Sequence, residues 1–170
     1  MSDENEGLTH LDSTGRVRMV DVGPKAISHR ACTARGEVRM SPSTVARIAD
    51  GVVPKGDVLA TARLAGIQAA KRTHEWIPLA HPIPLDAISV ELLPDPEAGC
   101  VRIQAEVETQ WRTGVEMEAM VAVAAAGLTI YDMCKAVDRA MSVEAVRLVR
   151  KSGGGSGEWT RPDEPGVGDS

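Results

Sequence analysis

A proline-rich segment near the middle of the chain holds one histidine on a stiff backbone. The segment spans Trp76–Pro84, and His81 lies in it between Ala80 and Pro82. Because proline fixes φ and has no backbone N–H to donate, we expect an irregular but rigid loop here. A histidine on such a loop can position a ligand or carry a proton near neutral pH. The sequence leaves a second interpretation open, in which this histidine only caps a chain end or lies in solvent.

Ionisable residues lie near both ends of a predicted long helix. Glu116 and Glu118 fall in its first turn, while Asp132 and Lys135, three residues apart, share a face near its end. An exposed Asp–Lys pair contributes no more than about 1 kcal/mol, so a surface ion pair is one interpretation. The segment between the two ends, Ala122–Gly127, has mostly small side chains and lets another element approach closely. We therefore expect the Asp–Lys pair to be partly desolvated, which favours a functional role.

The two ends of this helix cannot serve one small ligand within a single chain. Glu118 and Asp132 are fourteen residues apart, so they point the same way but lie about 21 Å apart along the axis. Either the two carboxylates belong to different sites, or the helix packs against a symmetry mate. In the second case each pocket takes its first-turn and last-turn groups from different chains, and we favour that hypothesis.

Three isolated cations lie at predicted junctions between elements: Arg30, Lys55 and Lys151. Lys55 precedes a predicted helix, where backbone N–H groups favour an anion. The glycine-rich stretch after Lys151, residues 153–157, has neither the Walker spacing nor a GxGxxG pattern, which excludes the common nucleotide-binding loops. A flexible tail is the alternative interpretation of this stretch. The scattered histidines and cysteines predict no zinc cluster and no other metal site.

Hydrophobic periodicity predicts the elements that position these residues. Strands are expected at residues 31–40, 88–93, 101–107 and 143–149, and helices at residues 42–50, 57–74 and 113–137. The last helix begins with capping-box spacing, Thr113 to Glu116. The resulting β-α-β-β-α-β order predicts an α+β fold with a ferredoxin-like antiparallel sheet and helices on one face.

Composition narrows the class of protein. The chain has 170 residues, a formal net charge of −5 and only three Trp, one Tyr and no Phe. The acidic excess lies in residues 1–7 and 158–170, which we expect to be flexible tails around a single catalytic domain at residues 8–157. So few aromatic residues argue against a nucleic-acid surface. Three cysteines without CxxC spacing and a longest apolar run of twelve residues predict a cytoplasmic protein that does not enter a membrane.

Several long strings of this sequence, in order, resemble the MoaC family of molybdenum-cofactor biosynthesis. They are Leu8–His10, Met19–Val22, Lys55–Thr73, Ile77–Leu85, Thr113–Met120, Leu128–Asp138 and Lys151–Gly157. The resemblance implies a lyase that converts 3',8-cyclo-7,8-dihydro-GTP, a cyclised dihydroguanosine triphosphate, to cyclic pyranopterin monophosphate with release of diphosphate. It also implies a ferredoxin-like fold assembled as a homohexamer, a trimer of dimers, with pockets at subunit interfaces.

The resemblance assigns roles to individual positions. The family's catalytic acid/base falls on Asp132, with Lys135 beside it and Lys55 as a further catalytic lysine. The substrate-binding positions are Leu79, Ala80, His81, Glu116, Met117 and Glu118, with Arg30 and Lys151 as triphosphate ligands. Two departures are visible: Ala80 stands where a cysteine is common, and Gly155 stands where a second lysine often occurs. The second departure removes one phosphate-binding cation.

The expected partners are therefore a small nucleotide-derived substrate and further copies of the chain. No cofactor is required by the sequence, and Mg²⁺ stays open as a counterion of the triphosphate. The competing function is a non-catalytic nucleotide-sensing module, because ferredoxin-like sheets commonly serve regulation and a fold alone does not fix a function.

Overall fold

A computed structural model describes residues 16–162 and residue 164. Leu8–His10, which contribute to the family resemblance, lie outside the described residues. The elements in chain order are β1 (Ser28–Arg39), α1 (Pro42–Ala49), α2 (Val58–Ala70), α3 (Thr73–Trp76), β2 (Ala87–Asp95), β3 (Cys100–Trp111), α4 (Glu116–Cys134), β4 (Ser142–Ser152) and β5 (Trp159–Thr160).

The strands form one antiparallel sheet in the order β2-β3-β1-β4-β5. With the short helices α1 and α3 set aside, the elements from β1 to β4 follow the predicted β-α-β-β-α-β order. The α+β class is therefore confirmed. Helix α2 packs on β2, and α4 packs on β1, β3 and β4. Burial alternates along β1 and β3, so one face of the sheet carries the core and the other face is polar.

The N-termini of α1 and α2 are capped by polar side chains of the local sequence. The Ser41 hydroxyl accepts a hydrogen bond from the Thr44 N–H, and Pro42 occupies the first turn of α1, as predicted. The Asp57 carboxylate accepts a hydrogen bond from the Ala60 N–H at 2.9 Å and caps α2. The proline-rich segment that follows α3 has no regular element, as its prolines require.

Three details differ from the sequence-based expectation. The predicted helix over residues 57–74 is two helices, α2 and α3, with a turn between them. The capping box at Thr113 is wrong, because the N-cap of α4 is Val115 and no side chain caps it. The predicted C-terminal tail contains β5, which pairs with Arg150 and Lys151 of β4. Main-chain pairing, which composition does not register, accounts for this last difference.

Small residues allow the helices to approach the sheet and each other. A Cβ at Gly66 of α2 would lie 2.9 Å from the Ala122 carbonyl oxygen of α4. A Cβ at Gly127 of α4 would lie 2.8 Å from the Val143 side chain of β4. Contacts this short leave no room for a larger side chain unless the neighbouring atoms move, and at Gly66 the neighbouring atom belongs to the backbone. The core is accordingly aliphatic, and α4 is held on several sides at once.

Helix α4 has the length and hydropathy of a membrane span, with 19 residues from Glu116 to Cys134. In this fold, 61% of its most apolar stretch is buried. That pattern is typical of a core helix, so its length and hydropathy are weak evidence of a span.

A Gly66→Ala variant tests the contact between α2 and α4. Alanine is the better helix former by about 1 kcal/mol, but its Cβ would press on a carbonyl oxygen that cannot rotate away. We expect the free energy of unfolding, measured by urea denaturation, to fall by about 1–3 kcal/mol. Ala60→Gly, at an exposed position of the same helix, is the control for helix propensity alone. A Gly66→Ala variant at least as stable as the wild type would contradict this packing.

Candidate active site

The carboxylate–lysine cluster, defined as Lys55, Asp132 and Lys135, lies at the C-terminal end of α4. Asp132 accepts hydrogen bonds from Lys135 Nζ at 2.7 Å and from Lys55 Nζ at 2.9 Å. Lys55 Nζ also donates to the Asp132 carbonyl oxygen at 2.8 Å. The structure thus brings together the three residues that the resemblance assigned as catalytic.

Local sequence explains this cluster. Lys135 is the C-cap of α4, where a cation interacts favourably with the helix dipole. Lys55 lies in a turn closed by the Gly56 N–H and the Val53 carbonyl oxygen at 3.0 Å. The turn directs Lys55 to the end of α4.

Asp132 and Lys135 are both held in their charged forms. Hydrogen bonds from Lys135 and then Lys55 lower the pKa of Asp132 to about 2. The hydrogen bond that Lys135 donates to Asp132 raises the pKa of Lys135 above its usual value. The expected desolvation is absent within one chain, since the side chains of Asp132 and Lys135 are 57% and 52% exposed. At neutral pH this cluster offers ammonium protons rather than a basic carboxylate.

A cavity of about 280 Å³ lies near the N-terminal end of α4, and we call it the histidine cavity. Its lining includes all six of the predicted substrate contacts: Leu79, Ala80, His81, Glu116, Met117 and Glu118. His81 Nε2 donates to the Val20 carbonyl oxygen at 2.9 Å. Because Nε2 carries the proton, Nδ1 of the neutral ring is an acceptor. The Ala80 N–H donates to the Ile77 carbonyl oxygen and tightens the loop.

The two glutamates of the histidine cavity have different environments. Glu118 is 3% exposed, and burial, with a smaller contribution from the Glu116 charge, raises its pKa to about 7. Glu116 is partly exposed and pairs with Lys151 at 3.3 Å. Two carboxylates two positions apart therefore differ in their surroundings, one being buried with a raised pKa and the other engaged in an ion pair, an arrangement that suits acid–base chemistry.

Arg30 and Lys151, which the family resemblance assigns to the triphosphate, lie together with the glycine-rich turn, residues 153–157, and we call this group the phosphate side. Arg30 donates through Nε to the Trp111 carbonyl oxygen at 3.0 Å. Lys151 Nζ donates to Ser156 Oγ at 3.0 Å and so fixes the turn. A Cβ at Gly154 would collide with the Arg30 guanidinium, and the positive φ at this position also requires glycine. The glycine-rich stretch is therefore an ordered turn that packs over Arg30.

Gly155, which stands where relatives often carry a lysine, behaves differently from Gly154. A Cβ at Gly155 would meet no atom within 4 Å. A lysine is therefore compatible with the turn, and its absence here changes the charge of the phosphate side without changing the backbone.

Three groups were missed by sequence reasoning: Lys25, Arg112 and Ser28. Lys25 lines the histidine cavity, although only its proximity to the Met19–Val22 string could have indicated this. Arg112 lies between β3 and α4, and its Nε is buried with no hydrogen-bond partner among the described residues. Its guanidinium lies 5.7 Å from the Trp111 ring centroid. Ser28 Oγ is also buried without a partner in the described part of the chain. Sequence patterns do not report unpaired buried donors, so no signal pointed to either group.

The structure does not bring the two ends of α4 together. The carboxylate–lysine cluster and the histidine cavity are separated by most of the helix, about 21 Å between Asp132 and Glu118. Between them runs the α4 stripe, a partly exposed apolar row formed by Met117, Met120, Ala124, Leu128 and Tyr131. Leu128 is 55% exposed, and the nearby Leu64 and Trp76 are 57% and 52% exposed. An apolar surface that connects two polar clusters indicates an interaction site.

A groove of about 420 Å³ lies beside this stripe, between α2 and α4. Ala65, Ala69, Ala125 and Leu128 line it, and Asp132 lies at its end. In the described ranges, 16–162 and 164, no group of three or more His, Cys, Asp or Glu residues is placed to hold a metal ion.

The sequence is similar to those of several known proteins. The sequence profile of the MoaC family matches residues 19–154. A cyclic pyranopterin monophosphate synthase of Chloroflexus aurantiacus is 57% identical over 162 residues, 95% of this chain and 99% of the relative. The enzyme of the same name from Roseiflexus is 59% identical over 152 residues, 89% and 96% of the two chains. That of Nostoc is 54% identical over 155 residues, 91% and 92% of the two chains.

A Glu118→Gln variant tests the buried carboxyl. A pKa raised from 4.5 to about 7 means that the folded state holds the proton more tightly. Protonation of Glu118 therefore stabilises the fold fully below pH 4.5, and this contribution is lost as the pH rises through 7. We expect the wild type to lose up to about 3 kcal/mol of unfolding free energy from this group across that window.

Denaturant unfolding at a series of pH values measures this effect. The Glu118→Gln variant, which cannot ionise, should lack that part of the slope, whereas the exposed Glu75→Gln control should keep it. Parallel pH profiles for wild type and Glu118→Gln would show that this carboxyl does not titrate as described.

Proposed function

This chain belongs to the MoaC family, and on that premise we propose that it is the lyase of molybdenum cofactor biosynthesis. It converts 3',8-cyclo-7,8-dihydro-GTP to cyclic pyranopterin monophosphate and releases diphosphate. The observation that carries the proposal is the placement of the predicted residues. The two ends of a single helix carry the lysine ammonium groups, a buried carboxyl and the cations assigned to phosphate, and the partly exposed α4 stripe runs between them.

In the dimer that we propose, a two-fold axis passes near the middle of α4. It places the C-terminal end of one copy beside the N-terminal end of the other, so the two ends form one site. Ala125 is the central residue of Glu116–Cys134, and Glu118 and Asp132 each lie seven residues from it. If two copies of α4 pack antiparallel around that point, Asp132 lies beside Glu118 of the partner subunit. The α4 stripe and the groove beside it supply the apolar surface for this contact. The dimer therefore has two equivalent pockets, each built from both chains.

This pairing also alters the solvation of the carboxylate–lysine cluster. Asp132 and Lys135 are exposed in one chain, and a partner across the α4 stripe removes water from them. A hydrogen bond or ion pair is stronger in such a water-poor pocket than on an open surface. The partial desolvation expected from the sequence is thus a property of the dimer.

Each residue then has a role that its charge state allows. The purine-derived ring occupies the histidine cavity, where Glu118 donates or accepts a proton near pH 7 and His81 Nδ1 accepts a hydrogen bond. Lys55 and Lys135 deliver protons to ring nitrogens during ring opening and rebuilding. Asp132 stays anionic and orients both ammonium groups. It therefore accepts hydrogen bonds from the two lysines and does not act as a base by itself.

Closure of the cyclic phosphate uses the other cations. A ribose hydroxyl attacks the α-phosphorus and passes its proton to the ionised form of Glu118. The bond from the α-phosphorus to the bridging β-phosphate oxygen breaks, and negative charge develops on the leaving diphosphate. Arg30 and Lys151 stabilise that charge electrostatically. No resident cofactor takes part in this scheme, and Mg²⁺ enters only as a counterion of the triphosphate.

The same proposal includes the assembly and location. The antiparallel sheet forms a ferredoxin-like subunit, dimers form through the α4 stripe, and three dimers form a homohexamer in the cytoplasm. Lys55, Asp132 and the histidine cavity all lie at the dimer contact.

Turnover of the cyclised triphosphate tests the activity. Purified wild-type protein should release diphosphate and the cyclic product, both measured by liquid chromatography. Lys135→Ala and Asp132→Asn should each reduce kcat about 100-fold or more, because each removes an acid or its orienting charge. Glu75→Gln, an exposed acid far along the chain from these residues, is the control. Nucleotide binding without product in the wild type would instead support the nucleotide-sensing module.

Mixed oligomers test whether the pocket is shared. Lys135→Ala alters the carboxylate–lysine cluster, and His81→Ala alters the histidine cavity. Each variant alone should be inactive, but co-expression of the two should restore activity to about one quarter of the wild-type level. In a statistical mixture half of the dimers are mixed, and each mixed dimer has one intact pocket of its two. If activity stays at the level of the separate variants, each pocket belongs to one chain.

A further inference from the structure

Glu164 lies on the face of the sheet opposite the helices and is almost fully enclosed. Its side chain is 4% exposed, although it stands close to the C-terminus. Oε2 accepts a hydrogen bond from Arg147 Nε at 2.9 Å, and Oε1 accepts a second from Arg147 Nη2. Oε1 also accepts one from Arg35 Nη1 at 3.3 Å. A carboxylate bound in this forked manner is among the stronger protein ion pairs. We call Glu164, Arg35 and Arg147 the Glu164 clamp.

The strand register explains why an acid is needed at this position. Arg35 of β1 and Arg147 of β4 are direct partners across the two strands. Like charges placed opposite each other destabilise a sheet, and Glu164 supplies the negative charge between them. Arg147 Nη1 also donates to the carbonyl oxygen of Ala145 at 2.9 Å. Ala145 has a φ of +52°, a conformation rarely adopted by alanine, at a register shift in β4.

The segment that carries Glu164 continues directly from the phosphate side of the site. The Arg161 N–H donates to the Val149 carbonyl oxygen at 2.8 Å, and Arg161 Nε donates to the Leu148 carbonyl oxygen at 2.7 Å. Just before Arg161, Trp159 of β5 pairs with Lys151. The glycine-rich turn is therefore held between β4 on one side and β5 on the other.

Strand β5 has little stability of its own. It has two residues, both are exposed, and it pairs with a single neighbour. A pairing this short depends on contacts outside it. The Glu164 clamp supplies such a contact four residues beyond Thr160, and no other acid in the described residues 158–162 and 164 is as buried.

We propose that Glu164 is a positioning residue for phosphate binding, acting through β5 and the glycine-rich turn on Lys151 and Arg30. The proposal rests on the function proposed above. When the clamp is intact, β5 stays on β4, the turn keeps Ser156 on Lys151, and Gly154 stays over the Arg30 guanidinium. When the clamp is lost, β5 and the turn become mobile and the two cations lose their fixed positions.

Steady-state kinetics with the cyclised triphosphate test this inference. Glu164→Gln removes the charge and keeps the size, and we expect KM to rise about tenfold while kcat changes less than twofold. Glu164→Asp keeps the charge but is too short to reach both arginines, so its KM should rise less. Glu158→Gln is the matched control, since Glu158 is in the same segment, is 74% exposed and lies 4.0 Å from Arg150 Nη2. Its KM should equal that of the wild type.

The outcomes separate this inference from the proposed function. A wild-type protein that forms no product overturns the proposed function. An active wild type together with a Glu164→Gln variant of unchanged KM overturns the positioning role alone. A Glu164→Gln variant with lower kcat, unchanged KM and a lower midpoint of thermal unfolding shows a merely structural ion pair and also overturns it. Increased hydrogen exchange in residues 153–160 of Glu164→Gln, with no increase in α4, would support it.

Discussion

The rigidity and length of α4 determine how this protein can act. Its 19 residues extend about 27 Å, and it is held by β1, β3, β4 and α2. The close contact at Gly66 fixes α4 against α2, so the helix cannot bend to bring its ends together. Chemical groups at its two ends therefore stay apart within one chain. The antiparallel dimer that we propose would unite them, and the partly exposed α4 stripe suits that contact.

The two ends of α4 have different electrostatic environments. At the C-terminal end, two lysines keep Asp132 ionised, with its pKa at about 2. At the N-terminal end, burial raises the pKa of Glu118 to about 7, so this carboxyl exchanges between its protonated and ionised forms near neutral pH. The same functional group thus has different protonation behaviour in two environments, and in the proposed site their combination provides proton donors and an acceptor near neutral pH.

Sequence patterns predicted the element order because the relevant signals are local. Ser41–Pro42 marks the start of α1, and the prolines after Trp76 mark the loop that carries His81. The motif strings indicated the family, and they contain the residues that form the carboxylate–lysine cluster and most of the histidine cavity. What the sequence did not predict depends on three-dimensional contacts. Strand β5 depends on pairing with β4, and the N-terminus of α4 lacks its expected cap. The Glu164 clamp depends on the register that places Arg35 opposite Arg147.

The central claim is that each active site is shared between two chains. A crystal structure of the oligomer with a non-reactive analogue of the cyclised triphosphate measures this most directly. The account predicts one analogue molecule in contact with Lys135 of one protomer and with His81 and Glu118 of the partner subunit, its phosphates on Arg30 and Lys151. An analogue enclosed by residues of a single chain, with the α4 stripe exposed to solvent, would contradict it.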